Sequence, residues 1–296
     1  MQNQRLPVDA FAVTLMLVLC ITWGFNQVTI KFAAAGISLV MQAALRSGIA
    51  ALLLLLWARA RGIPLFSRDG TLAGGLLAGF LFAAEFGFIH AGLKYTTASR
   101  MIVFIYLAPC FTALGLAWHS TAERLRALQW VGIALAFAGI LTAFGEGFFS
   151  AGGGTALGDA FGILAALLWG ATTVAIRNSR LNNAAPAKTL FYQLAFAAVT
   201  LPFVSLLLGE SGVTALTPKV VASIAFQGVL VAFVSYLTWF WLLSKYLATR
   251  LSVFSFMTPL FGVGFGILLL SDPVSPAFIA AALMVGAGIA LVNYRG

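Results

Sequence analysis

The second half of this sequence repeats the first. The matched positions keep a nearly constant spacing, and they are Trp23-Gly24 with Trp169-Gly170, Lys31 with Arg177, Lys94-Tyr95 with Lys245-Tyr246, Arg100 with Arg250, Pro109 with Pro259, and Glu123 with Asp272. Internal repetition of an apolar chain is typical of secondary transporters. The sequence therefore predicts two related domains, at residues 1–148 and 149–296.

The composition places the chain in a lipid bilayer. Hydrophobic residues make up 61% of its 296 residues and charged residues only 8%, whereas soluble domains carry about 25% charged residues. The net charge of +9 does not indicate nucleic-acid binding, because the basic residues lie in short loops rather than in one cluster. Cys20 and Cys110 lie within apolar runs, so we expect no disulfide.

Ten apolar runs are each long enough to cross a bilayer, which needs about 20 helical residues. Their predicted limits are 10–31, 38–58, 71–93, 100–118, 127–145, 157–176, 188–208, 219–243, 251–270 and 275–293. Because each repeat then contains five helices, an odd number, the second repeat enters the membrane opposite to the first. We expect an all-α integral membrane protein of ten transmembrane helices, built as two inverted five-helix repeats.

The basic residues predict the orientation. With both termini in the cytoplasm, most of the 17 basic residues fall at inner loops and ends, namely Arg5, Arg59, Arg61, Arg68, Arg124, Arg126, Arg177, Arg180, Lys188, Lys245, Arg250 and Arg295. The outer loops then hold only Lys31, Lys94, Arg100 and Lys219, and Arg46 lies inside the second span. Cytoplasmic loops are enriched in Lys and Arg, so an N-in, C-in topology is predicted.

The motifs in both halves resemble one family. The first copy reads Gly92-Leu93-Lys94-Tyr95-Thr96-Thr97-Ala98-Ser99, Leu107-Ala108-Pro109 and Ala122-Glu123-Arg124-Leu125, followed by Gly132 and Gly139. The second reads Ser244-Lys245-Tyr246-Leu247-Ala248-Thr249 and Met257-Thr258-Pro259, followed by Gly286 and Gly288, with Asp272-Pro273 in place of Glu123-Arg124. These strings resemble the EamA-type repeat of the drug/metabolite transporter superfamily over nearly the whole chain.

That resemblance implies a ten-helix exporter or exchanger of small organic solutes, commonly amino acids, in a bacterial inner membrane. In its ten-helix form and its aromatic-rich interior, the chain is similar to the YddG-type aromatic amino acid exporters of that superfamily. We expect no cofactor. The motifs specify the fold and not the substrate.

Three ionisable side chains lie within the spans, where a charge at the bilayer centre costs at least about 2.5–3.5 kcal/mol. Glu85 is near the middle of the third span, His90 is further along the same span, and Arg46 is in the second. Glu85 either lines the transport path or pairs with Arg46 or a Tyr hydroxyl and fixes helix packing. For His90, a hydrogen bond to a neighbouring helix is as good an interpretation as a place in the path.

Alignment of the repeats places Glu85 opposite Tyr236, and Trp239 lies three residues further on the same helix face. We therefore assign that face to a central cavity. The candidate substrate-binding residues are Asn26, Glu85, His90, Tyr106, Trp169, Thr173, Gln227, Tyr236 and Trp239, although helix packing would also explain the amides and hydroxyls. Pro109 and Pro259 are candidate hinges, or static kinks present in both copies.

Export of amino acids, with aromatic ones favoured, is the leading functional hypothesis. A cationic drug or polyamine exporter, with Glu85 as counter-ion, and a non-transporting lipid-handling protein are the alternatives. No nucleotide-binding loop or metal-ligand spacing is present and the chain has two histidines, so an enzyme is not expected. The expected partners are a small-molecule substrate and lipid, with no nucleic acid and no metal, and the oligomeric state, a monomer included, is open.

Overall fold

A computed structural model describes residues 6–96, 98–119, 121–149, 156–270 and 276–294. Asp272-Pro273, the predicted counterpart of Glu123-Arg124, lies outside these residues. Within them, ten helices are long and apolar enough to cross a membrane: α1 (Ala10–Ala33), α2 (Leu39–Ala60), α3 (Leu72–Gly92), α4 (Arg100–His119), α5 (Ala127–Gly145), α6 (Ala156–Arg177), α7 (Pro186–Leu207), α8 (Pro218–Lys245), α9 (Ala248–Leu269) and α10 (Pro276–Asn293). The predicted all-α fold with ten spans is confirmed.

Proline and capping residues mark several helix starts. The Asp9 carboxylate accepts a hydrogen bond from the Ala12 amide at 2.8 Å, which satisfies a free donor of the first turn of α1. Helices α7 and α8 begin at Pro186 and Pro218, where the missing amide hydrogen costs nothing. Such runs of apolar residues become helices in lipid because a helix satisfies all of its own backbone hydrogen bonds.

Helices α4 and α9 are irregular at matched positions. Helix α4 is interrupted between Ile105 and Ala108, and α9 contains a tight 3-10 turn over Val253–Phe256. Pro109 and Pro259 follow these irregular segments. Because proline has no amide hydrogen, it leaves the carbonyl four residues earlier without its helical partner. Helix α8 is irregular in the other sense, since Phe226–Ser235 forms wider π-helical turns.

The two five-helix halves pack with a matched set of contacts. Helix α5 pairs with α10 and α2 pairs with α7, while α1–α9 corresponds to α6–α4. The contact of α3 with α6 corresponds to that of α8 with α1, and α3–α7 corresponds to α8–α2. Exchanging α1–α5 with α6–α10 thus reproduces the packing, as expected of two similar units related by a twofold axis.

Equivalent glycines allow two of these contacts. A Cβ atom on Gly24 of α1 would lie 2.5 Å from Cβ of Phe261 on α9, and one on Gly170 of α6 would lie 2.8 Å from Cβ of Phe111 on α4. Real Cβ atoms do not approach so closely, so each position requires glycine unless the helices move apart. The repeated Trp-Gly pair therefore marks a close helix contact in both halves.

Polar side chains hold the two ends of the bundle. At the end formed by the α1–α2 and α7–α8 loops, the Glu210 carboxylate accepts hydrogen bonds from Ser205 Oγ (2.7 Å), Ser38 Oγ (2.9 Å) and the Val40 amide (3.1 Å). Burial alone would raise the pKa of Glu210, but the hydrogen bonds from Ser205, Val40 and Ser38 outweigh it and lower that pKa. Glu210 thus caps α2 from the following repeat.

The opposite end contains a second polar network. The Glu123 carboxylate accepts hydrogen bonds from the Ala248 and Thr249 amides, each at 3.1 Å, and lies 3.6 Å from the Arg177 guanidinium. Arg177 also donates to the Tyr246 carbonyl at 2.9 Å, and the Tyr246 hydroxyl donates to Asp9 at 3.0 Å. This network joins the starts of α1 and α9 to the end of α6.

Candidate functional site

A cavity of about 390 Å³ lies in the middle of the bundle. Eight helices line it, and α5 and α10 contribute no lining residue in the described part of the chain. Those two helices pack against each other, so they support the bundle from one side. The volume is in the range of small-molecule sites, about 300–1,000 Å³.

Aromatic side chains form two groups in the cavity wall. In one, Trp23 of α1 makes edge contacts with Trp239 and Tyr236 of α8, with ring centroids 5.9 and 6.4 Å apart. In the other, Tyr106 of α4 and Trp169 of α6 lie 6.2 Å apart. Each group combines one helix of the first half with one of the second, so both halves contribute aromatic surface to the cavity.

One basic and one acidic side chain line the cavity among the described residues. Arg46 of α2 is 4% exposed and Glu85 of α3 is 9% exposed. No ion pair within 4.0 Å joins them, so the pairing considered for Glu85 is not formed directly. The Arg46 guanidinium lies instead over the Phe86 ring, 4.7 Å from its centroid.

His90 lines the same part of the cavity. Its Nδ1 lies 2.6 Å from the Phe86 carbonyl oxygen, one turn earlier in α3. Because a carbonyl only accepts, Nδ1 must carry the hydrogen, which leaves Nε2 of a neutral ring as an acceptor. The predicted hydrogen bond of His90 to a neighbouring helix is therefore replaced by one within α3.

Several lining side chains have hydrogen-bonding capacity to spare. Gln193 Nε2 on α7 and Thr258 Oγ1 on α9 are buried without a protein partner. Asn26 on α1 is buried, and its Oδ1 accepts a bond from Thr29 Oγ1 at 3.2 Å, which leaves its amide donors. Buried polar groups are normally satisfied, so these atoms are positioned for water or a polar solute.

The cavity brings together all but one of the predicted substrate-binding residues. Those in the lining are Asn26, Glu85, His90, Tyr106, Trp169, Thr173, Tyr236 and Trp239, with the predicted hinge Pro109. Gln227 lies outside it, because its Nε2 donates to Gln42 Oε1 at 3.1 Å in the contact of α8 with α2. Gln227 falls in the wide π-helical turns of α8, which change the direction in which side chains point. Pro259 is also absent from the lining.

Sequence reasoning did not assign Trp23, Arg46, Gln193 or Thr258 to the cavity. Two of these had a usable signal in the repeat. Trp23 matches Trp169, which was assigned, and Thr258 directly precedes Pro259 as the lining residue Ala108 precedes Pro109. Arg46 was named only as a partner for Glu85, and no pattern separates Gln193 from an amide used in packing.

A second, much smaller pocket of about 30 Å³ lies between the cavity and the Glu123 network. It includes Arg177 and Asn182, and it shares Thr173, Ile176, Phe240 and Leu243 with the cavity. These four shared residues therefore form the layer between the two spaces. Among the described residues, no cluster of three or more His, Cys, Asp or Glu side chains could hold a metal ion.

Comparisons with known proteins agree with this architecture. The chain is 23% identical over 268 residues to the uncharacterized transporter YoaV of Bacillus subtilis (strain 168), covering 90% of this chain and 91% of that protein. It is 24% identical over 282 residues to a probable amino-acid metabolite efflux pump of Escherichia coli (strain K12), covering 93% and 92%. A crystal structure with 19% identity shares the fold, with a TM-score of 0.80 over 96% of both chains.

The family model for EamA-like transporters matches residues 10–145 and 156–294. With its ten spans, the protein is a multi-pass transporter of the inner membrane, and not an enzyme. Since the two matches together extend over almost all of the sequence, the chain belongs to the EamA-like transporter family.

Proposed function

We propose that this protein exports amino acids or closely related metabolites, with aromatic amino acids favoured, by alternating access around the central cavity. The observation that carries the proposal is the combination of two aromatic groups with one basic and one acidic side chain in a space of about 390 Å³. An amino acid needs both kinds of surface, since its head is zwitterionic and its side chain is often apolar. Efflux of amino-acid metabolites by a relative supports the same assignment.

The proposed mechanism uses the repeat. Two inverted five-helix units, at residues 1–148 and 149–296, give two related conformations with the cavity accessible from opposite sides. The matched contacts of the two halves and the matched irregular segments before Pro109 and Pro259 support this arrangement. In this mechanism the two prolines are hinges, and the layer of Thr173, Ile176, Phe240 and Leu243 separates the cavity from the cytoplasm.

Export of cations such as drugs or polyamines is the second candidate, and the buried Glu85 favours it. The presence of Arg46 in the same cavity disfavours it, because a like charge repels a cationic solute.

Flux measurements in proteoliposomes distinguish the two candidates. The purified full chain is reconstituted and assayed with phenylalanine, tryptophan, leucine, alanine, putrescine and a lipophilic cation. Amino acids, aromatic ones most, should cross faster than in protein-free vesicles. Flux of the cations alone would favour the second candidate, and flux of none of these solutes would contradict both.

A further inference from the structure

Arg46 has no polar protein partner among the described residues, in contrast to the buried Lys188 and the largely buried Arg177. Lys188 donates to Asp69 at 2.7 Å and to Ser67 Oγ at 2.8 Å. Arg177 donates to the Tyr246 carbonyl at 2.9 Å. For Arg46, no hydrogen bond or ion pair to another described residue is formed, and its Nε is buried without a partner.

A charge that is 96% removed from solvent inside a membrane protein requires compensation. The Phe86 ring, 4.7 Å from the guanidinium carbon, supplies part of it through a cation–π contact. The ring also restricts the plane of the guanidinium. The ring accepts no conventional hydrogen bond, so the N–H donors of the guanidinium remain unused. Arg46 lines the cavity, where a solute can reach these donors.

An arginine side chain in this position is suited to binding a carboxylate. A guanidinium has five N–H donors in a planar fork and no acceptor, and this fork matches a carboxylate through two parallel hydrogen bonds. The cavity therefore offers hydrogen-bond donors for a solute carboxylate, since no carboxylate of the described residues lies within 4.0 Å of Arg46.

Hydrogen-bond acceptors that suit a cationic group lie on the neighbouring helix α3. Glu85 lines the cavity without an ion pair to Arg46 within 4.0 Å, and the Nδ1 bond of His90 leaves Nε2 as an acceptor. An α-amino acid carries its carboxylate and ammonium groups on one carbon, so it presents both charges together at one end.

We propose that Arg46 binds the carboxylate of the transported solute and thereby makes the carrier select carboxylate-bearing metabolites over the corresponding amines. This inference rests on the proposed function and names its specificity-determining residue. Glu85 receives the ammonium group, and the aromatic groups receive the side chain. A solute without a carboxylate leaves the hydrogen-bond donors of Arg46 without an acceptor.

The test compares matched ligands on the purified full-length protein. Dissociation constants are measured for phenylalanine, for phenethylamine, which lacks the carboxylate, and for 3-phenylpropionate, which lacks the ammonium. We expect wild type to bind phenylalanine at least about tenfold more tightly than phenethylamine, as for the loss of one charged hydrogen-bond partner. In Arg46→Gln that ratio should fall to about one, and in Arg46→Lys it should be intermediate.

Arg61→Gln is the matched control. Arg61 also lies over an aromatic ring, 5.9 Å from that of Trp57, but it is exposed at a helix end outside the cavity. Its substitution should leave the ratio unchanged. If Arg46→Gln keeps the wild-type ratio, the inference is wrong.

The wild-type measurement decides the matter even if Arg46→Gln does not fold. Equal affinity of wild type for phenylalanine and phenethylamine would overturn the assignment of Arg46. If the proposed function is wrong, the result is different: no amino acid flux is measured in proteoliposomes. In that case a wild-type preference for 3-phenylpropionate over phenethylamine still supports a carboxylate site, and equal binding of those two ligands excludes it.

Discussion

At the scale of single residues, position in the bundle decides the role of each tryptophan. Trp239 lines the cavity and contacts Trp23, whereas Trp241, two residues further along α8, is 37% exposed and contacts Phe11 on the outside of the bundle. Both residues are tryptophans of the same helix. Substituting each in turn therefore distinguishes an effect on solute contact from an effect on helix packing.

Replacement of Trp239 by Ala should reduce transport of aromatic solutes more than that of small ones. An aromatic contact contributes about 0.5–1.5 kcal/mol beyond burial, which corresponds to a roughly two- to tenfold change. Initial rates for tryptophan and alanine in proteoliposomes check this expectation. Trp241→Ala should leave the ratio of the two rates unchanged, and an equal loss for both solutes in Trp239→Ala would instead indicate packing.

At the scale of helices, close contacts between neighbours hold the cavity in shape. Helix α1 approaches α9 at Gly24, where an added Cβ would lie 2.5 Å from Phe261 Cβ and 2.9 Å from the Gly262 amide nitrogen. A Cβ added to Gly264 on α9 would instead meet no neighbouring atom within 4 Å. The same substitution at these two glycines therefore has opposite consequences.

We expect Gly24→Ala to destabilise the protein by about 1–3 kcal/mol, because the added methyl group overpacks the α1–α9 contact. Gly264→Ala should be neutral or stabilising by up to about 1 kcal/mol, since alanine favours helix. The apparent Tm of the detergent-solubilised protein measures both. An equal Tm for the two variants would contradict the close contact at Gly24.

The cap on α2 makes stability depend on pH. Because the folded-state pKa of Glu210 is lowered, its contribution is fully present above the unfolded value of about 4.3 and is lost as pH falls through the folded-state pKa. Glu210→Gln should lower the apparent Tm at pH 7, in line with cap losses of about 0.5–2 kcal/mol. The Tm difference from wild type should shrink at pH values below about 4.3. A difference that does not change with pH would show that the charge of Glu210 is not what stabilises α2.

At the scale of the whole molecule, the predicted topology places the segments before and after α7 on opposite sides of the membrane. The loop after α7 contains the exposed Ser211, and the segment between α6 and α7 contains the exposed Asn183. With the N-terminus inside, Ser211 is external and Asn183 is cytoplasmic. The network around Glu123 and Arg177 is then on the cytoplasmic side, next to the layer that separates the small pocket from the cavity.

Impermeant thiol reagents test this topology in intact cells. Single cysteines at Ser211 and Asn183 are placed in a background of Cys20→Ala and Cys110→Ala, so that no native thiol reacts. Ser211→Cys should label from outside, and Asn183→Cys should label only after permeabilisation. Labelling of both from the same side would refute the inverted arrangement.

The fold was predictable from sequence because the bilayer restricts the choices. For a helical chain, a hydrocarbon core of fixed thickness needs runs of about 20 apolar residues, and a helix satisfies its own backbone hydrogen bonds there. The ten spans and the family follow from that restriction and from the repeated motifs. Most of the predicted cavity residues also follow, because an ionisable or amphipathic side chain deep in a span, such as Glu85 or Tyr236, needs polar surroundings.

Only the tertiary structure decided which polar side chains face the cavity. In lipid, the outside of a helix is as apolar as its packed side, so the sequence pattern does not fix the rotation of a helix about its axis. Gln193 and Gln227 are therefore alike in sequence, yet one lines the cavity and the other bonds Gln42. Likewise, Arg46 and Glu85 suggest an ion pair, and only their positions in three dimensions leave the arginine free for a solute.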